Sequence, residues 1–229
     1  MISMVLAIRT DPYIERIDDR RGDNMKNPLS YQSTEYDCGP TSMLNAVNYL
    51  FHRKDISPDV IKSITLYSLD SYNRKGEAYK SGTTGMAMLF LANWLNQFGK
   101  VKKWPIECEV MTGEAIHISQ NSKIAECLGQ GGVVVARLML GCWHYVLLTG
   151  IDQEYVYLFD PYYRVKPFPT EGIDMIKDEP TKYNRRIKHH ILNSEGSGNY
   201  ALGKKEGREC VLLYNKKTRI SMDQIEYFI

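Results

Sequence analysis

The sequence has no run of about 20 apolar residues, so no membrane-spanning helix is expected. It has no excess of either charge. There are 29 Lys and Arg against 27 Asp and Glu, a formal +2. That balance argues against a bulk binder of nucleic acid or of anionic membranes. There is no CxxC pair and no His-x3-His spacing, and the five cysteines are an odd, irregularly spaced set. A disulfide framework and a structural zinc site are therefore not expected, and no cofactor is implied. No internal repeat or low-complexity tract points to a solenoid or an array. Met4 to Ile8 is a short apolar run with no basic start and no clear small-residue cleavage site. The expectation is no signal peptide and a cytoplasmic location, with export by a route lacking an N-terminal signal left open.

What is present suits a globular domain. The chain has 229 residues, 43% of them apolar and 24% charged. A chain of this length buries roughly 70% of the surface its unfolded form exposes and needs no staples. We read one domain over 1–229, with its core at about 30–165 plus 210–229. Residues 166–209, rich in Lys, Arg, Tyr and Gly, read as an insertion, a surface extension or a small subdomain. Residues 9–30 read as an irregular lead-in after one short strand. Their Arg21-Gly22-Asp23 triplet reads as chance rather than as an adhesion motif.

Periodicity supplies the elements. Met43, Leu44, Val47, Leu50 and Phe51 mark one face of an amphipathic helix, with Pro40 in its first turn. Cys38 and Gly39 fall at or just before its start. Pro58 to about Leu69 reads as a second helix. A third, capped by Thr83 or Thr84, runs to about Phe98 and is stopped by Gly99. Ser122 to Leu128 is a short fourth, ended by Gly129. The period then changes. Val133–Leu140, His144–Gly150 and Tyr155–Asp160 read as three consecutive antiparallel strands, the first two joined by a hairpin at Gly141-Cys142-Trp143. Cys210–Tyr214 reads as a fourth strand. Helices first and strands later, without strict alternation, imply an α+β fold.

The chemistry centres on Cys38. A helix N-terminus favours an anion, and so favours the thiolate. A free thiol with a pKa near 8.5 is only about 3% ionised at pH 7, so a base nearby would complete the activation. His144, at a strand start, is the candidate base. Asp160 ends the next strand, and antiparallel pairing brings that end back to the edge where His144 lies. The carboxylate could there fix the tautomer of the ring. Gln32, in the loop entering the helix, could donate to a developing oxyanion together with the Cys38 N–H. The remaining cysteines, Cys108, Cys127, Cys142 and Cys210, read as small buried hydrophobes. Lys188-His189-His190 reads as an exposed basic turn, with a metal role the less favoured reading.

The segments Gln32-Ser33-Thr34-Glu35-Tyr36-Asp37-Cys38-Gly39-Pro40, Gly141-Cys142-Trp143-His144-Tyr145-Val146-Leu147-Leu148-Thr149-Gly150 and Phe159-Asp160-Pro161 resemble the papain-like cysteine peptidases of the C39 and C39-like group. Ser81-Gly82-Thr83-Thr84 and Gly131-Gly132-Val133-Val134-Val135-Ala136 are similar to further features of that group, and Arg219 to Phe228 resembles its closing strand and helix. The resemblance implies a papain-like fold, with a helical half carrying the nucleophile and an antiparallel sheet half carrying His and Asp. It implies Cys38 as nucleophile, His144 as general base and then acid, Asp160 as the orienting residue and Gln32 in the oxyanion hole. The implied partner is a peptide or protein substrate, cleaved through an acyl-enzyme. Two alternatives remain open at this level: acyl transfer to an amine, as in transglutaminase-like or aminoacyl-transfer enzymes, and a catalytically silent binding module.

Overall fold

The computed structural model describes residues 28–69 and 72–221. The short strand expected near the N-terminus, the Arg21-Gly22-Asp23 triplet and residues 222–229 of the expected closing helix lie outside the described residues. Arg219, Ile220 and Ser221 form no strand.

Among the described residues, three α-helices come first. Helix α1 is Cys38–Leu50. Its first residue is Cys38, and its first turn closes where the Thr41 N–H donates to the Asp37 carbonyl at 3.0 Å. Helix α2 is Pro58–Tyr67, with Pro58 at its start and the Ser57 hydroxyl capping the Asp59 N–H. Helix α3 is Gly85–Lys102, capped by Thr84 Oγ1, which accepts from the Ala87 N–H at 3.2 Å. Gly99 does not stop α3. A Cβ there would lie 2.8 Å from the Trp104 carbonyl oxygen and 2.9 Å from Ile106 Cγ2, so this glycine permits close packing inside the helix. The helix ends instead at Lys103, which takes the left-handed conformation at φ 54°.

The α-helices and strands that follow among the described residues are β1 (Ile106–Thr112), α4 (Lys123–Gly129), β2 (Val133–Met139), β3 (Trp143–Ile151), β4 (Tyr155–Phe159), β5 (Ile173–Met175), β6 (Arg185–Lys188), the single turn α5 (His189–Leu192) and β7 (Glu209–Asn215). The strands form one sheet in the order β1-β7-β2-β3-β4-β6-β5, antiparallel throughout. The three consecutive strands and the strand around Cys210 are therefore present. β1, β5 and β6 are additions to the expected set.

Both faces of the sheet are covered, and side chains alternate between them as a pleated strand requires. Val133, Val135, Tyr145, Leu147, Val211 and Leu213 pack with Met43, Val47, Leu91 and Leu95 of α1 and α3. Val134, Ala136, Val146, Leu148, Leu158 and Leu212 face the other way. That second core is closed by α4 and by residues expected to be peripheral. Ile173, Ile187, Leu192, Tyr200 and Leu202 are all buried in it. Residues 166–209 thus complete the edge of the sheet, through β5 and β6, and much of its second core. Within them Lys188 pairs with Glu154 at 2.9 Å.

Candidate active site

The α1 N-terminus, the start of α3, the β2–β3 turn and the start of β7 enclose a cleft of about 1410 Å³. Cys38, His144 and Gln32 all line it. The loop that delivers Cys38 is folded by its own side chains. The Asp37 carboxylate accepts from the Thr34 N–H at 3.0 Å and from the Thr34 hydroxyl at 2.6 Å. Since that carboxylate is spent inside the loop, it does not cap α1, and Cys38 opens the helix with an N–H that the helix itself leaves unused.

His144 lies next to the β2–β3 turn and is 6% exposed. Its Nε2 is 2.7 Å from Asp160 Oδ1, and Asp160 is 1% exposed. The Cys38 thiol lies close enough to the ring to act on its protonation. Burial pulls the His144 pKa down, but the hydrogen bonds with Asp160 and Cys38 more than reverse this, and it is pushed up to about 10. His144 and Asp160, distant in sequence, are therefore paired, and His144 shares its cleft with Cys38. Asp160 follows β4 directly, and β4 pairs antiparallel with β3, so the sheet itself brings imidazole and carboxylate to one edge.

Asp160 is held from several sides. The Tyr162 N–H donates to Oδ1 at 2.8 Å, and the Tyr200 hydroxyl donates to Oδ2 at 2.5 Å. Asn184 brackets its backbone: Oδ1 accepts from the Asp160 N–H and Nδ2 donates to the Asp160 carbonyl, each at 2.8 Å.

Gln32 is half-buried. Its backbone N–H donates to the Pro161 carbonyl at 2.9 Å, which ties the Cys38 loop to the Asp160 loop. Its Nε2 donates to the Thr34 carbonyl at 2.8 Å. An amide nitrogen carries two hydrogens, so one donor is left over.

A second polar group lines the same cleft. Glu209 Oε1 accepts from the Tyr145 hydroxyl and is 3.3 Å from Arg137 Nη1. The Arg137 guanidinium stacks 4.5 Å over the Trp143 ring. Burial first, and then the Glu209 carboxylate, push the Tyr145 phenol far up, so it stays a donor.

A family model described as "Peptidase_C39 like family" matches residues 25–184. The chain belongs to this family. Among solved structures, this Peptidase_C39-like chain is similar to the peptidase domain of ComA from Streptococcus mutans, at 12% identity and TM-score 0.38, over 82% of this chain and 98% of that one. It is also similar to a double glycine motif protease from an AMS/PCAT transporter, solved in complex with the leader peptide, at 13% identity and TM-score 0.40, over 82% of this chain and 89% of that one. No curated protein matches it.

The other cysteines of this Peptidase_C39-like chain divide. Cys108, Cys127 and Cys210 are buried, and burial pushes their thiols up, that of Cys127 to about 12. Cys142, expected in the core, is exposed in the β2–β3 turn, because the turn carries it past the end of both strands. Among the described residues, no group of three or more His, Cys, Asp and Glu side chains could hold a metal ion. No helix of the described residues is long and apolar enough to cross a membrane. Sequence reasoning missed Tyr162, Asn184 and Tyr200 around the carboxylate and the Tyr145–Glu209–Arg137 group. Each is a residue of common type in an unmarked setting, recruited only by the fold.

Proposed function

We propose that this chain is a cysteine peptidase in which Cys38, His144, Asp160 and Gln32 act together on a peptide amide. The observation that carries this reading is the His144 ring, held at 2.7 Å by Asp160 in the cleft that Cys38 also lines. Asp160 keeps a proton on Nε2, so the other ring nitrogen serves the thiol. Transfer of the thiol proton gives a thiolate beside an imidazolium, a pair that the raised His144 pKa favours.

The thiolate sulfur attacks the scissile carbonyl carbon, and the carbonyl oxygen becomes an oxyanion. The Cys38 N–H at the α1 N-terminus and the free Gln32 amide hydrogen are the donors that meet it. One such donor is worth about 10²–10³ in rate. The imidazolium then gives its proton to the departing amine, leaving a thioester on Cys38. The neutral ring next takes a proton from water, which attacks the thioester and releases the acid.

Profiling on peptide libraries tests this reading. Cys38→Ala should reduce cleavage to background while its circular dichroism spectrum stays native. Full turnover by Cys38→Ala on a confirmed substrate would sink the assignment.

A further inference from the structure

We propose that Tyr200 is a positioning residue for the Asp160–His144 pair, its hydroxyl fixing the carboxylate in the orientation that supports a charged ring. This rests on the peptidase reading above. Among the described residues, Oδ1 of Asp160 has two donors, His144 Nε2 and the Tyr162 N–H, whereas Oδ2 has the Tyr200 hydroxyl at 2.5 Å. A carboxylate that is 1% exposed needs donors on both oxygens, because a buried charge left unpaired is costly. Without Tyr200 one oxygen is bare, and the group is free to rotate, which turns Oδ1 away from the imidazole.

Two further features separate this role from simple core filling. Phenylalanine would fill the Tyr200 site equally well by volume, packed against Phe168 at 5.3 Å between ring centroids. The added oxygen is aimed at the carboxylate. The backbone is also bent to deliver it. Tyr200 adopts φ 63°, a left-handed conformation uncommon for a bulky residue. Its N–H donates to the Met139 carbonyl at 2.5 Å, and the Met139 N–H donates to the Ala201 carbonyl at 2.8 Å, which pins the bend to the end of β2. Tyr200 lies beyond residues 25–184 matched by the family, so the stretch completing the second core also supplies a support for the site. The groups around the carboxylate and phenol are His144 on β3, the backbone of Tyr162, Asn184 before β6, and Arg185, the cation facing Tyr200.

The test is the rate of Cys38 alkylation by iodoacetamide between pH 5 and 10, read by mass spectrometry on the Cys38 peptide so that exposed Cys142 does not interfere. In the full chain, Tyr200→Phe should slow the reaction at pH 6 by roughly ten-fold, the scale of one hydrogen bond to a charged group. At pH 10 the two rates should converge. Asp160→Asn should shift the profile in the same direction, and adding Tyr200→Phe to it should change nothing more. A folded Tyr200→Phe with the unaltered profile would overturn this inference alone. A wild-type Cys38 that reacts only above about pH 8, as a free thiol does, would overturn the peptidase reading and this inference together. If Tyr200→Phe does not fold, the unmutated protein carrying ¹³Cζ-tyrosine decides. The Tyr200 resonance should move when Cys38 is alkylated, and an unmoved resonance overturns the inference.

Discussion

Gly39, next to Cys38 in the first turn of α1, offers a sharp perturbation of the site from outside its chemistry. A Cβ built there lies 2.1 Å from Thr83 Oγ1, 2.6 Å from Thr83 Cβ and 2.8 Å from Thr83 Cγ2. Rotating the threonine side chain cannot relieve this, because its Cβ is fixed by the backbone just ahead of the α3 cap. Gly39→Ala must therefore push the start of α1 away from the start of α3, and Cys38 moves with it. Overpacking of this kind costs about 1–3 kcal/mol. At about 2–4 °C per kcal/mol for a chain of this size, the melting temperature should fall by roughly 2–12 °C. The shift in Cys38 should also lower its alkylation rate at pH 6. Thr83→Gly removes all three clashing atoms, so the double variant should recover both readouts, whereas Thr83→Ala keeps the offending Cβ and should recover little. The coupling between two such contacting sites is typically about 0.5–3 kcal/mol. A Gly39→Ala protein with unchanged melting and unchanged thiol reactivity would refute the reasoning, as would a double variant no better than the single one.

Other perturbations follow from the same contacts. The pKa of His144 is raised from its ordinary 6.5 to about 10 in the folded chain. The stability it contributes is therefore fully present below about pH 6.5 and lost as pH rises through about 10. The urea midpoint should fall between pH 7 and 10.5 in the native protein and much less in His144→Gln; equal falls would refute the assignment. Asn184→Ala strips partners from the buried N–H and carbonyl of Asp160, which should cost roughly 2–4 kcal/mol in urea unfolding, and a loss well under 1 kcal/mol would contradict it. Arg208 is buried, and its guanidinium donates to the carbonyls of Gly203, Ile116 and Asn193 at 2.9, 2.8 and 3.1 Å. A lysine cannot reproduce that fork, so Arg208→Lys should destabilise by about 2–4 kcal/mol, measured the same way. With an added amine nucleophile, product mass should report hydrolysis, and a joined product would move the reading to acyl transfer.

The parts of the fold written in strong periodicity were legible from sequence. The face of α1, the β-branched run of β2 and the two strands after it follow from which residues repeat and how often. The reach of α3 was not, because Gly99 looks like a stop until the chain that packs over it is seen. β1 was hidden by Glu107 and Glu109 on its outer face, and β5 and β6 are too short, and β6 too rich in Arg, to show a pattern. The meeting of His144 and Asp160 could be argued from one hairpin. The support beneath it could not, since Asn184 and Tyr200 reach Asp160 only through folding of a stretch with little pattern of its own. Gln32 was marked by its loop, but its bond to the Thr34 carbonyl depends on the turn that Asp37 ties.

The sulfur rides on the helical layer and the imidazole on the sheet, and a single Ser42 hydroxyl, donating to the Tyr145 carbonyl at 3.0 Å, rivets the two beside the reacting groups. The separation of sulfur and ring is therefore a gauge of how the layers seat. In rising urea, low-pH thiol reactivity should vanish before the far-ultraviolet signal does, because a slip of about an ångström between layers parts the two while every helix and strand persists. A protein built this way goes silent before it comes apart.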